Sequence, residues 1–190
     1  MKTVVKQIWL EGLEQQVEKH IQEAVQIFQN KDEALLRKPA MSGGWSVVQC
    51  LAHLNSYGQY YLPRLKQELI PRSPGQHTTT TFTSSWLGGY LTRLMDPGGG
   101  LIKFKAARRH QPLVNLPAHT VVAEFIDQQE ELLRLLQAAQ DHDLTTIRIP
   151  MSVAAWIRLP VGNVLQFLIV HTERHLIQAR RNIDTIAQKS

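Results

Sequence analysis

Apolar residues recur every three to four positions along four long segments of the chain, which is the spacing of one face of an α-helix. In the fourth segment this stripe runs from Val164 through Leu168 to Ala179 and continues to Ile186. Strand-like alternation is weak elsewhere, so the pattern predicts an all-α protein built as a four-helix bundle. The four predicted helices cover about residues 4–31, 46–69, 120–140 and 161–187.

The second predicted helix has a well-defined start. Ser46 with Gln49 three residues later fits a capping box, in which each side chain bonds the backbone of the other residue. Trp45 is placed for a hydrophobic staple onto Cys50, and Pro63 is expected to kink the helix.

A long connection, residues 71–117, separates the second and third helices and indicates a non-simple topology. Within it, residues 84–95 have the pattern of a short amphipathic helix. Trp86 and Tyr90 on that helix are interpreted either as a lid over a pocket or as part of a satellite helix. Residues 145–159 mix β-branched residues with Pro150, and we expect an extended crossover there.

Length and composition favour one globular domain over residues 1–190. The net charge of +5 includes a cluster at Lys103, Lys105, Arg108 and Arg109, but this is weak support for nucleic-acid binding, and we expect none. Cys50 is the only cysteine, which excludes an intramolecular disulfide and suits the cytoplasm. Neither a signal peptide nor a membrane span is predicted.

Three histidines interrupt the apolar stripes of two predicted helices. His171 and His175 are four residues apart and so share one helix face, and His53 lies on the second helix. Three imidazoles from facing helices are able to bind one divalent metal ion and leave a coordination position open, as in catalytic sites. The alternative is that they are core histidines with no metal.

A zincin-type site is excluded because that motif needs Glu directly after the first histidine. Here Glu173 follows His171 by two residues and therefore faces away from it on a helix. Four other histidines lie near loops or helix ends and are interpreted as surface residues: His77, His110, His119 and His142.

Two stretches of sequence resemble a known family. Gly44-Trp45-Ser46-Val47-Val48-Gln49-Cys50-Leu51-Ala52-His53-Leu54 is similar to the second-helix signature of the DinB-like superfamily. Val170-His171-Thr172-Glu173-Arg174-His175-Leu176-Ile177-Gln178-Ala179 is similar to its fourth-helix signature. Their order and separation also agree with that family.

The resemblance implies an up-down-down-up bundle, frequently a homodimer, with zinc or nickel bound by His53, His171 and His175. It further implies a metal-dependent enzyme that acts on a small-molecule substrate. Characterised relatives include S-transferases and isomerases that use the low-molecular-weight thiols bacillithiol or mycothiol. Thiol transfer and hydrolysis are therefore the two candidate reactions, although this sequence displays no dedicated general base for hydrolysis.

Several further residues acquire candidate roles from this resemblance. Arg174, Arg180 and Arg181 are candidates to bind the carboxylates of a thiol, or else they are helix-end cations. Gln178 is a candidate to orient His175 or to face solvent. Tyr57, one turn after His53, is a candidate to line the metal pocket or to pack in the core.

A function of a different class stays open. A non-catalytic bundle would bind a small ligand or a protein partner through residues 103–110 and the aromatic residues of the connection, and its metal would be structural or absent.

Overall fold

The computed structural model describes residues 2–41, 43–70, 78–99 and 105–187, most of which are helical. A π-helical stretch, Ala24–Gln29, extends the first helix, and two 3-10 turns lie at Pro97–Gly99 and Arg108–His110. The elements are, in chain order, β1 (Thr3–Val5), α1 (Lys6–Glu23), α2 (Glu33–Arg37), α3 (Val47–Leu69), β2 (Thr81–Thr83), α4 (Trp86–Met95), α5 (Ala118–Ala139), β3 (Arg148–Met151), β4 (Ala154–Pro160) and α6 (Val161–Ala187).

The four predicted helices are confirmed as α1, α3, α5 and α6, with ends that differ by a few residues. The predicted capping box at the start of α3 is also confirmed. The Ser46 hydroxyl accepts a hydrogen bond from the Gln49 amide at 3.2 Å, and the Gln49 Oε1 accepts one from the Ser46 amide at 3.1 Å. The helix continues through Pro63 as a single element.

The prediction of an extended crossover over residues 145–159 was wrong in one respect, because this segment folds back on itself. Strands β3 and β4 form an antiparallel hairpin in which Ile149 pairs with Leu159. Both side chains are buried, so pairing within the segment satisfies the backbone while its apolar residues reach the core. A second small sheet pairs β1 with β2.

The short amphipathic helix predicted in the connection is confirmed as α4, which packs against α6. The Ser85 hydroxyl caps it by accepting a hydrogen bond from the Gly88 amide. Trp86 and Tyr90 stack on each other at 5.8 Å and point outward, with Trp86 73% exposed. The satellite-helix interpretation therefore describes α4 better than the lid.

The apolar core consists of two clusters, and each long helix contributes to both. The first cluster contains Leu13 of α1 and Leu165 of α6. The second contains Phe28, from the π-helical extension of α1, and Leu176 of α6. Between them lies a set of buried or half-buried polar side chains, which we call the polar layer: His20 of α1, His53 of α3, Gln129 of α5, and His171 and His175 of α6.

None of the helices within the described ranges has both the length and the hydropathy needed to cross a membrane.

A substitution of Gly162, in the first turn of α6, tests how tightly α6 packs against β2. A Cβ atom at this position would lie 2.5 Å from the Phe82 ring, which is fully buried and packs on Trp9. We expect Gly162→Ala to lower the free energy of unfolding by about 1–3 kcal/mol, because the ring has no room to move. Urea denaturation measures this change.

Gly12→Ala in α1 is the matched control, because no atom lies within 4 Å of the added methyl group. It is expected to raise stability by about 0.5–1 kcal/mol through the higher helix propensity of alanine. Equal effects of the two substitutions would contradict the packing described for Phe82.

Candidate metal centre

The three histidines singled out in the sequence come together in the polar layer. His53 projects from α3 and meets His171 of α6, with 3.2 Å between their Nε2 atoms. His175 lies one turn further along α6, and one nitrogen from each of the three rings lies within 4.8 Å of the others. Within the described part of the chain, this is the group of side chains that could hold a divalent metal ion.

Hydrogen bonds fix how two of these rings carry their protons. His53 Nδ1 lies 2.7 Å from the carbonyl oxygen of His110, and His175 Nδ1 lies 3.1 Å from Oε1 of Gln178. Because both partners are oxygen acceptors, each Nδ1 carries the hydrogen and donates it. Each Nε2 atom is therefore left with a lone pair, and lone pairs are what a metal ion requires.

Burial keeps all three imidazoles neutral. It lowers the pKa of His53, and it lowers the pKa of His171 well below its usual value, with the neighbouring His175 adding to the effect. The pKa of His175 falls to about 3, mainly because of burial and then because of His53. Neutral imidazole is the protonation state that coordinates metals.

Aromatic rings enclose the three histidines. Tyr57 contacts His171 with 4.6 Å between ring centroids. Because it also packs against the first apolar cluster, this predicted pocket residue lies both at the core and beside the three histidines. Trp45 lies 4.8 Å from His53 and 5.7 Å from His175. The sequence had suggested only a helix-start contact for Trp45, and its position directly after a glycine pair carried no signal of this second role.

His110 was predicted to be a surface residue, and this was wrong, because only 2% of it is exposed. Ser56 uses its hydroxyl hydrogen on the His53 carbonyl at 2.6 Å, so it accepts a hydrogen bond from His110 Nδ1 at 2.9 Å. His110 Nε2 then accepts from the Ser152 hydroxyl at 2.9 Å. These bonds place the His110 carbonyl against His53.

His142 was also predicted to lie on the surface and is instead buried, because it closes the end of α5. Its Nδ1 lies 3.0 Å from the Ala138 carbonyl, and its own carbonyl accepts a hydrogen bond from Lys6. His119 is exposed, as predicted. His77 lies outside the described residues.

The predicted cationic residues of α6 have different environments. Arg174 is half-buried beside the centre, donates to the Leu94 carbonyl at 3.5 Å, and has its pKa lowered by burial. Arg180 instead forms ion pairs with Glu23 at 2.8 Å and with Glu173 at 3.2 Å. Arg181 is exposed.

Glu173 lies outside the three-histidine group, as its position on the helix had predicted. One carboxylate oxygen lies 2.9 Å from Nε2 of His20, a buried residue of the polar layer that sequence reasoning did not single out. Cys50 is fully buried, and burial raises the pKa of its thiol to about 12.

The neutral buried histidines predict a pH dependence of the metal-free protein. Burial lowers the pKa of His110 to about 4 and that of His175 to about 3, against an ordinary value of 6.5. Below pH 6.5 the unfolded chain binds protons at these positions and the folded chain does not, so stability is complete above that pH and falls as the pH is lowered. The expected slope is about 1.4 kcal/mol per pH unit for each such histidine.

Urea denaturation of chelator-treated protein between pH 7 and pH 5 measures this slope. His110→Gln should flatten it, and His119→Gln, at an exposed position, should leave it unchanged. A free energy of unfolding that is the same at pH 7 and pH 5 would show that the pKa values of these histidines are not lowered in the folded protein.

Comparison with known proteins assigns the chain to a family. No individually curated protein and no solved structure matches it significantly. A family model described as the DinB superfamily matches residues 16–179, a range that includes His53, His171 and His175. Because this match covers most of the chain, the protein belongs to the DinB superfamily.

Proposed function

We propose that this protein is a metal-dependent enzyme in which His53, His171 and His175 bind one zinc or nickel ion. The observation that carries the proposal is the convergence of three neutral imidazoles, from the buried His53 and His171 and the half-buried His175, with ligand nitrogens within 4.8 Å of one another. Two of them are held by hydrogen bonds in the tautomer that presents Nε2 to a metal ion. Oxygen acceptors on the second ring nitrogen are typical of metal-binding histidines.

The dimensions of the site fit such an ion. At a zinc–nitrogen distance of about 2.0–2.1 Å, two ligand nitrogens in a tetrahedral arrangement are about 3.4 Å apart. The 3.2 Å between the Nε2 atoms of His53 and His171 is close to that value. Three protein ligands leave a fourth position for water or substrate, as catalytic zinc sites do. His175, the partly exposed member of the group, supports access from solvent.

Thiol transfer is the reaction we favour over hydrolysis. A divalent cation in such a site lowers the pKa of a bound thiol or water, which supplies a nucleophile near neutral pH. Hydrolysis would also benefit from a carboxylate as general base. Among the described residues the three-ligand group contains only histidines, and Glu173 is engaged with His20 and Arg180.

Three residues near the histidines have proposed roles in this reaction. Arg174 is proposed to bind a carboxylate of a low-molecular-weight thiol such as bacillithiol or mycothiol. Burial raises the pKa of Tyr57 to about 12, so its phenol stays protonated and able to donate a hydrogen bond to the substrate. Gln178 is proposed to hold His175 in its metal-binding tautomer through the 3.1 Å bond.

The proposal includes an up-down-down-up arrangement of the four long helices. Going from N- to C-terminus, α1 and α6 pass from the first apolar cluster to the second. Helices α3 and α5 pass from the second to the first. Two successive helices of the same direction require a long return connection, which residues 70–117 supply. A homodimer and a cytoplasmic location, where such thiols are kept reduced, complete the proposal.

Metal content tests the site directly. Purified tag-free protein should carry about one equivalent of zinc or nickel by plasma mass spectrometry, and His171→Ala and His53→Ala should each abolish it, because two remaining imidazoles hold a metal ion poorly. His119→Ala is the control, since it removes an exposed histidine.

Full metal stoichiometry in the His171→Ala protein would overturn the assignment of ligands. A wild-type protein that takes up neither zinc nor nickel, even in excess, would make the three histidines core residues. The non-catalytic binding protein would then be the better description.

The thiol-transfer reaction is tested with the zinc-loaded protein, bacillithiol or mycothiol, and a fluorogenic alkyl halide. Arg174→Gln is expected to raise the KM for the thiol about tenfold, which corresponds to one lost charge-assisted hydrogen bond, with metal content unchanged. Arg181→Gln, at an exposed position of the same helix, should leave KM unchanged. Activity on ester substrates without any thiol would instead favour the hydrolase.

A further inference from the structure

A small, partly open cavity of about 20 Å³ lies between α3, α5 and α6, and His171 forms part of its wall. A volume of this size is sufficient for one water molecule, which needs roughly 10–15 Å³. Apolar side chains form part of its wall, but His171 and Gln129 also line it. A cavity holds water only where polar groups face it, so these two residues decide whether it can bind a water molecule.

His171 and Gln129 each have a buried polar atom that lacks a hydrogen-bond partner among the described residues. These atoms are Nδ1 of His171 and Oε1 of Gln129, in residues that are 4% and 6% exposed. A buried polar atom without a partner destabilises the folded protein, because its hydration is lost and not replaced. One hydrogen-bonded molecule between the two atoms removes both costs at once.

The unpartnered Nδ1 also makes His171 different from the two other proposed ligands. His53 donates its Nδ1 hydrogen to the His110 carbonyl, and His175 donates its own to Gln178. His171 is about as deeply buried as His53, yet no protein atom in the described ranges bonds its Nδ1. Its Nε2 can bind a metal ion only if the hydrogen stays on Nδ1.

We propose that the cavity is a binding site for one water molecule that accepts the hydrogen of His171 Nδ1 and donates to Oε1 of Gln129. Gln129 thereby becomes the positioning residue of the third metal ligand, acting through water. The inference rests on the proposed metal site. It completes a pattern in which each of the three imidazoles has an oxygen acceptor at Nδ1.

The neighbouring Gln128 also lines the cavity but is bound elsewhere. Its amide nitrogen donates to Glu124 Oε1 at 2.9 Å and to the Asn55 carbonyl at 3.2 Å, and its oxygen is not one of the buried atoms that lack a partner. Gln129 projects from the same helix with its oxygen unpartnered, so it is the better acceptor for the water.

Zinc affinity, measured by competition with a chromophoric chelator, tests this role. Gln129→Met keeps the shape and removes the acceptor, and it should weaken zinc binding about tenfold or more. The zinc-free variant should also melt at a lower temperature than the zinc-free wild type, because it loses the water-mediated bond between the two buried atoms. Gln129→Glu restores an acceptor and should recover the affinity, and Gln137→Met, at an exposed position of α5, is the control.

A crystal structure of the zinc-loaded wild type gives an independent readout that does not depend on any variant. It should show one ordered water within hydrogen-bond distance of both atoms, and a dry cavity would overturn the inference. Equal zinc affinity of the wild type and Gln129→Met would also overturn it while leaving the metal site intact. A wild type that binds no zinc would overturn the proposed function and this inference together.

Discussion

The free-energy cost of burying polar side chains between two apolar clusters is the main constraint on this structure. The long helices place His20, His53, Gln129, His171 and His175 at the same level of the core. The layer is tolerated because burial lowers the pKa of His53, His171 and His175, so that these imidazoles stay neutral, and because most of the ring nitrogens have partners. An apolar layer would pack more simply, so the retention of these groups is most readily explained by binding.

The edges of this layer are stabilised by different means on its two sides. Towards α1, Arg180 forms ion pairs with Glu23 and Glu173, and Glu173 is also hydrogen-bonded to His20. Towards the connection before α5, the contacts are neutral and run from His53 through His110 to Ser152 in the β3–β4 turn. The hairpin and the 3-10 turn therefore act as supports for a site that lies on the long helices.

Sequence reasoning predicted the features that depend on local spacing. The four long helices, the Ser46–Gln49 capping box and the shared face of His171 and His175 all follow from residues a few positions apart. The burial of His110 did not, because it depends on Ser56 and Ser152, more than forty residues away in each direction. Nor did the β3–β4 hairpin, since the same β-branched residues suit an extended crossover and a strand pair equally well.

The acceptor that holds His53 is the main-chain carbonyl of residue 110, which every amino acid possesses. Side-chain substitutions there can weaken the support of this oxygen but cannot delete it. The site therefore requires that the backbone of the connection bring a carbonyl oxygen close to His53 Nδ1, and this oxygen does not depend on the residue type. A buried, hydrogen-bonded residue at this position supports the carbonyl, but the length of the loop between the 3-10 turn and α5 bears on the site as directly as the residue type does.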